Sequence, residues 1–251
     1  MEIHRNDGTP VHLARLKVRQ LLALMLLNSG VALTVDRIVT MLWSDLPPVS
    51  ARGNVKTYVS MLREKLAGTG ASLVTVPNGY RLDLSPGHLD VASFDALREL
   101  GTMSIAGGDD EAAVGHLGDA LRLWRGSALQ DIVEGSDVLS SMAELLNERR
   151  ITVVRTLAST LLRLGRGPEA IDHLRVAVSG NPVNESLWGD LMVALCQEGR
   201  RGDALMAYAQ CRAVLSEALG AEPSHHLASL HQRILITDTV PAGVLTASPS
   251  R

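Results

Sequence analysis

A mainly α-helical chain, with a small β component confined to its first third, is predicted by three observations. Apolar residues recur at helical spacing through most of the length, turn dipeptides with strand-forming neighbours stand in residues 1–85, and the second half superposes on itself at a shift of 34 residues. At 251 residues the chain exceeds the usual size of one domain, so two are expected. The formal net charge of −3 is unevenly spread: residues 1–85 hold ten Lys and Arg against six Asp and Glu, the remainder fourteen against twenty-one. Lys17, Lys56 and Lys65, all the lysines, lie in the first part. A basic module on an acidic body suits a polyanionic partner, because phosphate attraction follows local rather than total charge.

The opening stretch, Glu2 to Leu13, reads as two short strands around Asp7-Gly8. Leu16 to Asn28 follows as an apolar helix stopped at Ser29-Gly30, with Gly30 suited to the residue after the cap. A second helix is expected over Val35 to Ser44, with Thr34 as N-cap and Leu33 and Ile38 as a hydrophobic staple. Pro47-Pro48 prevents its continuation. The third helix, residues 49–66, places Val55, Val59, Leu62 and Leu66 on one stripe for burial. The opposite side then carries Gly53, Lys56, Thr57, Ser60 and Glu64, flanked by Arg52, Met61 and Arg63. A hairpin over residues 73–84 follows, with Asn78-Gly79 expected as the central pair of a two-residue turn at positive φ. Strands, three helices and a hairpin form the winged helix-turn-helix order, which presents its third helix to a major groove.

Ser85-Pro86-Gly87-His88 is a turn-rich joint, beyond which helix follows helix. Shifting by 34 residues brings Leu157, Leu161, Gly165, Ala170, Ile171 and Leu174 onto Leu191, Leu195, Gly199, Ala204, Leu205 and Tyr208. That is the tetratricopeptide period. Gly165 and Gly199 are expected to end the first helix of each pair, and Ala170 and Ala204 to let the second approach closely. Gly108, Ala113, Val114 and Leu117 form a weaker third copy. The expected organisation is a winged helix-turn-helix domain at 1–85, a tetratricopeptide-like all-α domain at 90–236, and a mobile tail at 237–251.

Nothing in the sequence points to an enzyme. Ser140-Ser141 lacks a glycine elbow and recognisable His or Asp partners, and His225-His226 lacks further ligands for a metal. Trp43, Tyr58, Trp124 and Trp188 sit in apolar helical surroundings and are expected to pack in cores, as are Cys196 and Cys211. No catalytic residue, metal or cofactor is therefore expected. Two cysteines make no disulfide framework, and the apolar run from Leu21 to Leu27 is far short of the roughly 20 residues that span a bilayer. A soluble, cytoplasmic protein is expected.

The residues that fix the family are Asp36-Arg37-Ile38 and Leu42-Trp43 before Pro47-Pro48, Tyr58 to Arg63, and Gly79-Tyr80-Arg81-Leu82. Farther on stand Phe94, Ala120 to Gly126, Leu219 to Pro223 and Leu230 to Leu235. In this order and with this coverage, Val11 to about Thr237, the chain resembles the SARP-type (AfsR-like) antibiotic-pathway transcriptional activators, whose second half is a bacterial transcriptional activation domain. The resemblance implies binding of tandem direct repeats near promoters, recruitment of RNA polymerase holoenzyme to secondary-metabolite genes, and pairing of protomers as a homodimer or in tandem on DNA. On that reading Arg52, Lys56 and Arg63 neutralise phosphates, Thr57 and Ser60 meet base edges, Met61 adds apolar contact or covers the flank, and Asn78 and Arg81 act from the wing. Family members commonly carry cations where this chain has Met61, Glu64 and Val76, and usually begin with a further strand. The ATPase extension of larger relatives is not expected, since no G-x-x-x-x-G-K-[ST] loop is present. The alternative is a helical-repeat adaptor whose winged helix docks on protein.

Overall fold

The computed structural model describes residues 2–44, 46–85 and 89–236. Two compact units interleave along the chain: residues 1–95 with 123–149, and 96–122 with 150–251. The expected joint at 86–88 and the expected tail at 237–251 lie outside the described residues.

The first unit contains α1 (Leu16–Leu27), β1 (Leu33–Thr34), α2 (Val35–Trp43), α3 (Ala51–Leu66), β2 (Ala71–Val76) and β3 (Gly79–Leu84). The two strands expected over residues 2–13 are reduced to a single antiparallel bridge, His4 to Pro10. Residues 4–10 are mostly exposed, and Pro10 has no N–H to extend a ladder, so only the turn survives, with Gly8 at φ +84°. Thr34 caps α2 as expected, its Oγ1 accepting from Arg37 N at 3.2 Å, and Leu33 and Ile38 are both buried. The third helix starts at Ala51 rather than Val49, since Pro47-Pro48 leaves residues 49 and 50 in a turn with Val49 fully exposed.

The hairpin forms, but its turn is displaced by one residue. Val76 pairs with Gly79, so Pro77-Asn78 occupies the two central positions and Asn78 alone takes positive φ, +59°. Proline first and asparagine second suit a type II geometry. Gly79 is required for another reason: a Cβ there would stand 2.0 Å from the carbonyl oxygen of Leu33. That oxygen belongs to β1, a two-residue strand the sequence did not reveal, which pairs antiparallel with β3 to give the sheet order β1-β3-β2.

The core of this unit buries nearly the whole circumference of α1, including Val18, Gln20, Leu21, Leu22, Leu24 and Met25. Part of its cover comes from far along the chain. Ile132 and Leu139 belong to the same apolar cluster, and Gln20, wholly buried, donates from Nε2 to the carbonyls of Ile132 (2.9 Å) and Glu134 (2.8 Å). One amide thereby serves two acceptors, that of Ile132 buried and that of Glu134 partly so.

The second unit draws on α4 (Asp90–Ala106) and α6 (Asp137–Arg163), each of which also contributes to the first, and on α5 (Asp110–Arg122), α7 (Gly167–Gly180), α8 (Glu185–Gln197), α9 (Arg201–Leu219) and α10 (His225–Ile236). The 34-residue period is visible in its hydrogen bonds. Gly165 N donates to Leu162 O and Arg166 N to Leu161 O; one repeat later Gly199 N donates to Cys196 O and Arg200 N to Leu195 O. The weaker copy does the same, with Gly108 N to Ile105 O and Asp109 N to Ser104 O. All three glycines have positive φ, +78°, +72° and +69° along the chain. Such left-handed closures satisfy the last carbonyls of a helix and let the next begin at once. Ala170 and Ala204 are wholly buried, and Arg166–Glu169 and Arg200–Asp203 repeat the same ion pair. The fold is thus a mainly α winged helix-turn-helix followed by tetratricopeptide-like helical repeats.

Aromatic side chains pack as expected. Phe94 and Trp124 meet edge to face at 5.4 Å, Trp43 stacks on Tyr58 at 6.4 Å, and buried Trp188 donates to Pro182 O at 2.8 Å. Cys196 and Cys211 are buried thiols, and burial pushes Cys211 up to about 11. Among the described residues, no helix is long and apolar enough to cross a membrane.

Candidate nucleic-acid interface

Residues of α3 divide cleanly by spacing. Ala51, Val55, Val59, Leu62 and Leu66 are buried against α1 and α2, which leaves Arg52, Gly53, Lys56, Thr57, Ser60 and Glu64 exposed. Met61 is half-buried and packs against the core cluster from the flank. Thr57 Oγ1 donates to Gly53 O at 3.2 Å, which holds its methyl and hydroxyl close to the helix. Around Gly53 there is open space where a Cβ would stand, so another molecule can approach the backbone of the first turn closely. The N-terminal turn has no acidic residue, and its unpaired N–H groups add a positive field to that end.

The cations expected to act together are engaged differently. Lys56 has no ion-pair partner among the described residues. Arg52 pairs with Asp36 of α2, both side chains largely exposed. Arg63 turns toward the hairpin: its Nε donates to Leu73 O at 2.9 Å, a terminal nitrogen donates to Thr75 Oγ1 at 2.6 Å, and its guanidinium lies 5.9 Å from the Tyr80 ring centre. This residue therefore ties α3 to the hairpin. Asn78 stands exposed at the hairpin tip. Arg81 makes a fork-to-fork pair with Asp83 at 2.7 and 2.9 Å. That hydrogen bonding raises the Arg81 guanidinium above its ordinary range and holds the Asp83 carboxyl below its own.

Sequence reasoning missed the partners that neutralise two of these cations. Asp83 was accessible to it, because residues two apart on a strand share a face. The Asp36–Arg52 pair depends on how α2 crosses α3, which no periodicity encodes.

Two family models cover the chain. Residues 8–82 match the "Transcriptional regulatory protein, C terminal" family, and residues 89–235 the "Bacterial transcriptional activator domain". Regulatory protein DnrI of Streptomyces peucetius is 34% identical, over 94% of this chain and 89% of its own length. Transcriptional regulatory protein EmbR of Mycobacterium tuberculosis is 35% identical over 91% of this chain, which spans only 60% of EmbR. A solved structure of Mycobacterium tuberculosis EmbR in complex with a low affinity phosphopeptide superposes with a TM-score of 0.81 at 33% identity, covering 96% of this chain and 65% of that one. With an OmpR-type winged helix joined to a bacterial transcriptional activator domain, the chain belongs to the SARP family of transcriptional regulators.

Proposed function

We propose that this protein is a sequence-specific DNA-binding activator that docks the outward face of α3 in the major groove of promoter DNA. The carrying observation is that face itself: Gly53, Lys56, Thr57 and Ser60 stand exposed in line, with an unpaired ammonium at their centre. Lys56 neutralises a phosphate, and Arg52 joins it by leaving Asp36, an exposed pair worth less than about 1 kcal/mol. Thr57 and Ser60 are short enough to meet base edges or a thymine methyl. Met61 adds an apolar contact at the groove wall. Arg63 holds the hairpin at the angle from which Asn78 and Arg81 reach the neighbouring backbone.

One such module covers too little DNA for tight specific binding, so tandem protomers on direct repeats supply the rest through effective concentration. The acidic helical repeats offer the surface for RNA polymerase, and the target genes are those of a secondary-metabolite cluster, as the family likeness implies. The protein acts in the cytoplasm. Binding of the full chain to promoter fragments from its own gene neighbourhood, measured against salt, tests the assignment. Lys56→Ala should lower the log–log salt slope by about 0.9 while weakening all sequences alike. An unchanged slope removes Lys56, and with it this face, from the interface.

A second reading rests on the Arg52–Asp36 and Arg81–Asp83 pairs, which neutralise two of the surface cations. On it the winged helix is a protein-docking module of a helical-repeat adaptor. Specific shifts that persist at moderate salt favour the activator; binding to polymerase without any specific shift favours the adaptor.

A further inference from the structure

A cleft of about 670 Å³ opens in the first unit, and no residue of the exposed strip of α3 lines it. Its volume lies in the range that holds drug-sized molecules. One wall comes from α1 and the end of β3, where partly exposed Leu26 and Leu84 lie over buried Leu22 and Leu66. The other holds the edge-to-face pair Phe94 and Trp124 and the chain from Leu123 to Asp131. All of these residues belong to the first unit.

The 123–131 segment is fixed at two points, to α1 at its far end and to α6 in its middle. Gln20 pins the far end of that segment through Ile132 and Glu134, and Ala128 N donates to Asn147 Oδ1 at 3.3 Å. Within it Leu129 has φ +54°, a left-handed conformation that costs a leucine free energy and is kept by its surroundings. Its carbonyl accepts from Ile132 N at 2.9 Å. A pre-formed concavity of mixed polarity walled by a strained segment is a binding site more readily than a packing gap.

Charge at the mouth selects the ligand. Glu2, Asp90 and Asp131 line it against Arg125, with Glu2 paired to Arg125 and Asp131 lying 3.6 Å from Arg19. Asp90 has no cationic partner among the described residues; its Oδ1 accepts only from Val91 N, at 2.8 Å. We infer that this cleft binds a small molecule with a flat aromatic body, seated between Leu26, Leu84 and Trp124, and a cationic group directed to Asp90. The inference stands independently of whether α3 binds DNA.

The test uses the full chain without DNA and two dyes whose emission rises in apolar surroundings: berberine, flat and cationic, and anilinonaphthalene sulfonate, flat and anionic. Berberine should fill one saturable site per chain and quench tryptophan emission. Trp124→Phe should remove most of that quenching while leaving the affinity within about twofold, which locates the dye even if other variants fold poorly. Ala128→Phe, which fills the cleft from the loop side, should weaken binding by at least about tenfold without changing the melting profile, and Asp90→Asn by several-fold. Unsaturable binding, or quenching that survives in Trp124→Phe, overturns the site. Tighter binding of the sulfonate than of berberine overturns the charge assignment.

Discussion

In the winged unit, the side chains that close the core over α1 come from residues about 110 positions away, Ile132 and Leu139, and are fixed by buried Gln20 and by Ser136, whose Oγ donates to Met41 O. In the repeat unit, the same glycine closure, the same small alanine and the same arginine–acid pair recur at 34 residues, and from α7 to α10 each helix packs on its neighbours in the chain. The contrast teaches where stability is concentrated. A repeat array distributes it over similar interfaces, whereas the winged unit depends on one distant contribution.

Ile132→Ala should therefore have the largest effect, lowering stability by about 3 kcal/mol through lost burial and a residual cavity. Amide exchange should accelerate in α3 as well as around residue 132. Protected α3 amides in that variant would mean that the winged unit does not need the distant segment.

Within the repeats, Arg155 Nε lies 2.5 Å from Asp190 Oδ2, and Asp190 is buried. Burial raises the Asp190 carboxyl above its ordinary range, with Arg155 and His226 opposing. A carboxyl raised on folding contributes stability below the unfolded value that fades as pH climbs through the folded one, so at neutral pH the charged form depends on Arg155. Arg155→Ala should cost about 2 kcal/mol, less than a fully buried pair because the guanidinium is partly exposed. The loss should be smaller at pH 4 than at pH 7 in denaturant titrations, and equal losses would contradict the shift.

Arg63→Ala should cost about 1 kcal/mol by releasing the two bonds to the hairpin. Nuclear relaxation should then report a looser hairpin while the salt slope of DNA binding falls less than in Lys56→Ala. Equal falls would make Arg63 a phosphate ligand rather than a brace. The smallest change is a gain: Gly53→Ala should stabilise α3 by about 0.5–1 kcal/mol, since the site is helical and open. If α3 docks as proposed, the same variant binds promoter DNA more weakly despite being more stable; a gain in both would place the DNA elsewhere.

Much of this architecture was legible because it is local. The stripe of Val55, Val59, Leu62 and Leu66, the Thr34 cap, and the glycines at 165 and 199 are set by spacing and backbone conformation. What escaped was set by approach between distant residues. The displaced hairpin turn goes with β1, whose Thr34 pairs with Gly79 and so places that residue in the ladder rather than in the turn. The opening strands shrank to one bridge because Pro10 offers no N–H to a ladder, although Ile3, Val11 and Leu13 still pack toward the core. On the candidate face, exposure of Lys56, Thr57 and Ser60 followed from the helical period, whereas the engagement of Arg52, Arg63 and Arg81 depended on geometry across elements.

The Gln20 anchorage has a consequence for synthesis. A nascent chain that has emerged only as far as the hairpin cannot yet satisfy that amide or shield the helix bearing it, because its acceptors at 132 and 134 are still to be translated. At about 5–20 residues per second, the delay between completing residue 85 and completing residue 139 is roughly 3–10 s. During that interval the leucine-rich flank of α1 is open to chaperones, and a ribosome that stalls there would release a winged unit that cannot hold its shape.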